Sequence, residues 1–330
     1  MLIRALLPFL ALAATTLAAT FHKGHDLSSV AMMETGQGAI WHAASGTEST
    51  IESILASGGM TTVRLRLWVS STGQYNLAST LSLAKRFAAA GSDILLDFHF
   101  SDTWADPSHQ AIPAGWPTDL SSLSMTLRSY VADTLTAFHS AGVDLALVAL
   151  GNEITAGMLW PAGEISNNDF SGVATLWAAA RNGVRDAVSA GVTAPQVMIH
   201  LDNGWNSATQ SWWYKGVFGT GKSSLNSLAS TYGKAVMVAE TDWPVECPDV
   251  TLSESIMVNA KGQRTWVKDI ISVLEDVPSG LGQGVFYWEP AFINNTAPGS
   301  GCEDNILFDV DWSNWPETKV TARSSVQMYK

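Results

Sequence analysis

The sequence predicts an α/β fold in which a parallel sheet closes into a (β/α)8 barrel. Three observations carry that prediction. A unit recurs in which an amphipathic stretch ends near a glycine and is followed by an apolar run, as in AKRFAAAGSDILLDFHF, TAFHSAGVDLALVALGNE, RDAVSAGVTAPQVMIHLDN and LASTYGKAVMVAETDW. Glycine supplies the left-handed turn that ends a helix. The runs are apolar on both faces, as strands covered by helices on either side must be. The runs also end in carboxylates, amides, His or Trp (HFSDTW, GNE, HLDNGW, AETDW, YWEP), while their starts are bland. A barrel puts its functional groups at the C-terminal ends of all its strands, whereas an open doubly wound sheet does so only at a switch point. Finally, no GxGxxG follows the first strand, which removes the dinucleotide-binding alternative.

In chain order, the strands are predicted at Lys23–Leu27, Thr62–Val69, Ile94–Phe100, Leu145–Glu153, Val197–Asp202, Val236–Glu240 and Gly284–Glu289. Helices are predicted at Thr50–Ala56, Leu77–Ala90, Ser122–Ala141, Val173–Ala190, Ser223–Thr231 and Gln263–Val277. This gives seven strands where a barrel has eight. The deficit falls between Val197 and Val236, a stretch with one predicted helix and no apolar run of its own.

The 330 residues are 46% hydrophobic and 15% charged, and no linker or charge run divides them. One domain over residues 20–330 is therefore expected, preceded by a leader over residues 1–19. Arg4, an apolar run and the small residues Ala18 and Ala19 have the pattern of a secretory signal, too short to span a bilayer. The net charge of -12 argues against nucleic acid and anionic membranes as partners. Two cysteines in a secreted chain, Cys247 and Cys302, are expected to be bridged; metal binding is the alternative, but no CxxC or HxxxH accompanies them. Asn294-Asn295-Thr296 is an N-glycosylation sequon.

Two glutamates, Glu153 and Glu240, stand at the ends of buried strands. In one barrel they would face a common cleft, where paired carboxyls can cleave a glycosidic bond: one protonates the leaving oxygen, the other attacks the anomeric carbon or activates water. Their separation would decide between retention and inversion, and sequence does not give it. A purely structural role, pairing with Arg64 or Arg66 of the same strand parity, is the competing reading. A metal site at His99, Asp102 and Asp106 is a further rival, with spacing that matches no ligand motif. The chain has 14 Trp, and Trp104, Trp116, Trp160, Trp205, Trp243 and Trp288 lie at or beyond strand ends, where flat rings can stack on sugars.

The segments VRLRLWV, LDFHFSDTWADPSHQAIPAGWP, LVALGNEITAGMLWP, VMIHLDNGW, VAETDWPVEC and GVFYWEPAFI, in this order over nearly the whole mature chain, resemble the fungal arabinogalactan endo-β-1,4-galactanases of glycoside hydrolase family 53. The resemblance implies a secreted, monomeric, cofactor-free barrel enzyme acting by retention on β-1,4-galactan, including the galactan side chains of pectin. It implies Glu153 as acid/base, Glu240 as nucleophile, Asn152 on the sugar 2-hydroxyl, Arg64 orienting the nucleophile and Trp288 flooring the cleavage subsite. It places His99, Asp102, Trp104, Asp202, Trp205 and Glu289 along the cleft, and a Cys247–Cys302 bridge between the loops after the last two strands. The chain departs from the family where the sixth strand belongs: no Gly-Val-Ser-aromatic-Tyr-Pro run follows WWYKGVFGTG, and with it goes a tyrosine that contacts the nucleophile. The departure leaves open a misassembled gene, an active variant, and a non-catalytic galactan-binding remnant. A clan relative acting on another β-glycan is the other alternative.

Overall fold

The computed structural model describes residues 20–204, 206–218 and 234–330. The predicted leader, Trp205 and the predicted helix Ser223–Thr231 lie outside the described residues. The strands, in chain order, are β1 (His22–Asp26), β2 (Ala39–His42), β3 (Thr62–Leu67), β4 (Asp93–Phe98), β5 (Leu147–Leu150), β6 (Gln196–Met198), β7 (Val236–Thr241), β8 (Gly282–Tyr287), β9 (Phe308–Asp311) and β10 (Thr318–Ala322). The helices are α1 (Val30–Gln37), α2 (Ile51–Ser57), α3 (Leu77–Ala89), α4 (Leu120–Ser140), α5 (Ser171–Ser189), α6 (Ser207–Phe218) and α7 (Ala260–Glu275).

Every strand predicted from sequence belongs to one parallel sheet, ordered β6-β5-β4-β3-β1-β8-β7. Local chemistry fixes the helix ends. Thr50, Asn76, Asp119 and Asn259 each accept a backbone N–H three residues on, satisfying a donor the helix itself cannot. At the other end Gly91, Gly142 and Gly191 take positive φ, the turn the repeated unit predicts. In β3, Val63, Leu65 and Leu67 pack toward the helices, while Thr62, Arg64 and Arg66 face the interior, and all six are buried.

The sheet is rolled, and Arg64 shows it. One guanidinium nitrogen of this β3 residue lies 2.8 Å from Asn152 Oδ1 beyond β5 and 2.6 Å from Glu240 Oε1 on β7. In a flat sheet β7 would lie three strand spacings from β3, about 14 Å, on the side away from β5. The sheet's two ends are β6 and β7, and among the described residues no strand lies between them. Among the described residues the sheet thus has seven strands where a closed barrel has eight, and its open side lies where the sequence spacing indicates.

The second sheet, β2-β10-β9, was not predicted. Its strands are four or five residues long and lie outside the repeated unit. Helices α1 and α6 were also missed; SATQSWWYKGVF carries no clear apolar stripe.

Candidate active site

The C-terminal ends of the sheet strands are where the backbone is strained. Phe100, Glu153, Asn203 and Glu289, which follow β4, β5, β6 and β8, all adopt positive φ without being glycine. Such conformations cost about 1–3 kcal/mol each and persist where the surroundings over-determine them, which marks this face as the functional one.

At its centre Arg64, 1% exposed, donates from Nη1 to Asp26 Oδ2 (2.7 Å) and from Nη2 to Asp97 Oδ2 (2.7 Å) and Asn152 Oδ1 (2.8 Å). Both Nη2 hydrogens are thus committed. The 2.6 Å contact of Nη2 with Glu240 Oε1 is an ion pair with no N–H aimed along it, and among the described residues Oε1 receives no hydrogen bond. Arg64 therefore holds Glu240 by charge while leaving its Oε1 without a donor among the described residues.

Asn152 is fixed on three sides. Its Oδ1 accepts from Arg64, its Nδ2 donates to Ala105 O (2.7 Å), and its carbonyl accepts from Gln110 Nε2 (2.8 Å). Glu153, next along and partly exposed, turns its side chain into the same space through φ 49. Burial and the charges of Glu240 and Asp202 push its carboxyl up to about 8, against a smaller opposing pull from Arg64. Burial also raises Glu240, opposed first by Arg64, whereas Asp97 is held far down because Arg64 and His99 outweigh its burial. Burial lifts both carboxyls, and the direct Arg64 ion pair is what sets Glu240 apart.

The remaining predicted residues divide by position. Trp104 is 42% exposed at the mouth, and Trp288 lies beneath it, Nε1 donating to Pro298 O (3.0 Å). His99 accepts the Ala105 N–H on Nδ1 (3.2 Å), so the neutral ring carries its proton on Nε2, 3.3 Å from Asp97. Asp102 accepts from Ala114 N (2.7 Å) and Asp106 from Ser108 N (2.7 Å) and His109, so both carboxylates pin loop turns. Among the described residues no group of three or more potential metal ligands converges, and His99, Asp102 and Asp106 do not meet. Asp202 accepts from Asn203 Nδ2 on one oxygen, and the other has no partner among the described residues. Trp243 is core, 3% exposed, its N–H donated to Met257 O. Glu289 is wholly buried against Ser29 and Arg66, and does not lie open to the cleft. Cys247 and Cys302 are joined as a disulfide, and Asn294 is exposed. Sequence reading passed over Asp26, Asp97, Tyr75 and Gln110. An Asp inside an apolar strand, as in ILLDF, was the available signal for Asp97.

The family model for glycosyl hydrolase family 53 matches residues 22–223 and 217–320, and the break between its two pieces falls where the sheet is open. Arabinogalactan endo-β-1,4-galactanases are similar at 39% identity: that of Thermothelomyces thermophilus over 87% of this chain and 94% of the relative, and that of Aspergillus niger over 92% and 93%. The Thermothelomyces alignment is 320 positions long yet takes in 87% of 330 residues, about 287, leaving about 33 positions without counterpart here, the size of one βα unit. A solved fungal β-1,4-galactanase superposes with a TM-score of 0.84 at 36% identity, over 94% of this chain and 99% of that one. A catalytic domain of the same family from Ignisphaera aggregans shares the fold, with a TM-score of 0.77 at 22% identity over 96% of this chain and 97% of that domain. The chain belongs to glycoside hydrolase family 53.

Proposed function

We infer that this chain is a secreted, endo-acting hydrolase that cleaves β-1,4-galactosidic bonds, including those in the galactan side chains of pectin, with retention of configuration. The observation that carries the reading is the meeting of two strand ends on one cation. A single Arg64 nitrogen touches Glu240 and also holds Asn152, the neighbour of a Glu153 that keeps its proton up to about 8.

In the first step Glu240 attacks the anomeric carbon while Glu153 gives its proton to the leaving oxygen. In the second, Glu153, now a carboxylate, takes a proton from water, the water oxygen bonds to the anomeric carbon, and Glu240 leaves. Arg64 favours the ionised nucleophile, against the burial that opposes it. Asn152 meets the 2-hydroxyl, Trp104, Trp205 and Trp288 stack on sugar faces, and Asp202, with one oxygen free, accepts a hydroxyl. His99 and Asp102 shape the cleft through Asp97 and the loop at Ala114. Removal of residues 1–19, a single domain over residues 20–330, a monomeric state and N-glycosylation of exposed Asn294 belong to the same reading. No helix among the described residues is long and apolar enough to cross a membrane.

The orphaned Oε1 of Glu240 favours one second reading, a barrel that binds galactan with weak turnover or none. Reducing-end release from β-1,4-galactan, β-mannan and β-glucan, with proton NMR of the first product anomer, separates the possibilities. Turnover of galactan with the β-anomer first is expected. Turnover confined to another glycan contradicts the substrate, and galactan binding without turnover supports the second reading.

A further inference from the structure

Trp104 and Trp288 can take sugar rings only if their planes are fixed, yet Trp104 is 42% exposed and is not held by core packing. Beneath both rings lies a buried charge. The Cζ of Arg66, a wholly buried residue of β3, is 4.3 Å from the ring centroid of Tyr75, 4.4 Å from that of Trp104 and 5.2 Å from that of Trp288. The centroids of Tyr75 and Trp104 are 6.2 Å apart, too close to lie on opposite faces of the guanidinium, so these rings flank it from adjacent sides. Trp68 closes the group edge-on, 4.7 Å from Tyr75 and 5.7 Å from Trp104.

The guanidinium is itself oriented. Nη2 donates to Ser29 Oγ (2.9 Å) and to Glu289 Oε1, and Nη1 faces Asp26 Oδ1 at 3.4 Å. Ser29 has one proton and gives it to Glu289 (2.6 Å), so in the 3.0 Å bond between Ser29 and Tyr75 the tyrosine hydroxyl is the donor. Tyr75 (φ 60) and Glu289 (φ 37) both reach this point through left-handed backbone, which bulky residues adopt only when their contacts impose it.

We propose that Arg66 is the positioning residue of the cleft's aromatic floor: its plane, set by Glu289, Ser29 and Asp26, holds Trp104 and Trp288 at the angle in which they receive galactosyl rings. This rests on the reading of the cleft as a galactan site. Glu289 then acts through Arg66 and not on substrate. Lysine keeps the charge but cannot present a planar fork to three acceptors and a face to two rings.

The test is Arg66→Lys, alone and combined with Trp104→Phe, read by near-ultraviolet circular dichroism, by fluorescence titration with β-1,4-galactotetraose, and by kinetics. Arg66→Lys is expected to weaken galactotetraose binding and raise KM about tenfold with kcat changed far less, and to alter the tryptophan dichroism. In the Trp104→Phe background both effects should shrink to the part carried through Trp288, because Arg66 and Trp104 act through one arrangement. If Arg66→Lys does not fold, Glu289→Gln, which keeps shape and removes charge, is expected to give the same KM rise and the same spectral change. Unchanged dichroism and KM in the folded variant, or effects that simply multiply with Trp104→Phe, would overturn the proposal. Should the wild-type protein bind no galactotetraose, the galactan reading falls; the dichroism of Arg66→Lys with and without Trp104 then decides the positioning role by itself.

Discussion

Arg64 and Glu240 meet at the centre of the barrel, but the strands that bring them there are built differently. β3 is buried at all six positions and paired in register on both sides, with β1 and β4. β7 is half-exposed at all six, paired among the described residues only with β8, and its register shifts twice. The difference teaches where the site gets its order. Arg64 is placed by its own strand and by Asp26 and Asp97. Glu240 sits on an edge strand, and what holds its carboxylate is Arg64. The fully paired strand β3 thus positions the carboxylate carried by β7.

The first way to break this comparison is Arg64→Met. It strands Asp26 and Asp97 as buried, unpaired charges and should cost about 3–5 kcal/mol in urea unfolding, with loss of turnover in whatever folds. A loss within experimental error would mean that β3 does not organise the site. On the other side, the Cys247–Cys302 bridge ties the loops that follow β7 and β8 across 55 residues of sequence. By chain entropy the double variant Cys247→Ser/Cys302→Ser should lose about 4 kcal/mol at most. Amide exchange should show the loss concentrated in β7 and β8 rather than in β3.

Core truncations sharpen the contrast. Leu65→Ala on β3, at 0% exposure, should cost about 2–5 kcal/mol. Val238→Ala on half-exposed β7 should cost about 1 kcal/mol or less, since the edge has room to relax. Equal costs in equilibrium denaturation would erase the distinction between the two strands.

A further difference lies in pH dependence. Glu153 ordinarily titrates near 4.5 and is raised to about 8 in the fold, by burial first and by Glu240 and Asp202 after it. Between those values the folded state holds a proton that the unfolded state has released, so the stabilisation is complete below 4.5 and is lost as pH rises through about 8. Melting temperatures of the wild-type protein should fall relative to Glu153→Gln across that window. The kcat/KM profile should also lose activity above about 8, as the free enzyme's acid deprotonates.

Much of this architecture was legible because its signals are periodic. Most of the sheet strands follow from apolar runs after helix-ending glycines, β1 being the exception, and the open position follows from a stretch between Val197 and Val236 with one predicted helix and no apolar run of its own. The small β2-β10-β9 sheet was not legible, because strands of four or five residues without the repeat look like loop. Within the site, Arg64 follows from strand parity. Glu289 does not: the family resemblance places it along the cleft, but φ 37 at the residue itself turns the carboxylate back onto Ser29 and Arg66, and no residue-type pattern announces that turn. Arg66 has the same parity as Arg64, yet its rings come from three separate loops, which only the folded chain brings together.

The central claim is the proposal that Glu240 serves as nucleophile although, among the described residues, no strand pairs with the open side of β7. A slow-substrate label tests it directly: 2-deoxy-2-fluoro-β-galactobiosyl fluoride, whose glycosyl-enzyme hydrolyses slowly, followed by peptide mass spectrometry. The account predicts one galactobiosyl adduct per chain, on Glu240, and none in Glu240→Gln. An adduct on another carboxylate, or hydrolysis of galactan by Glu240→Gln at the wild-type rate, would contradict it.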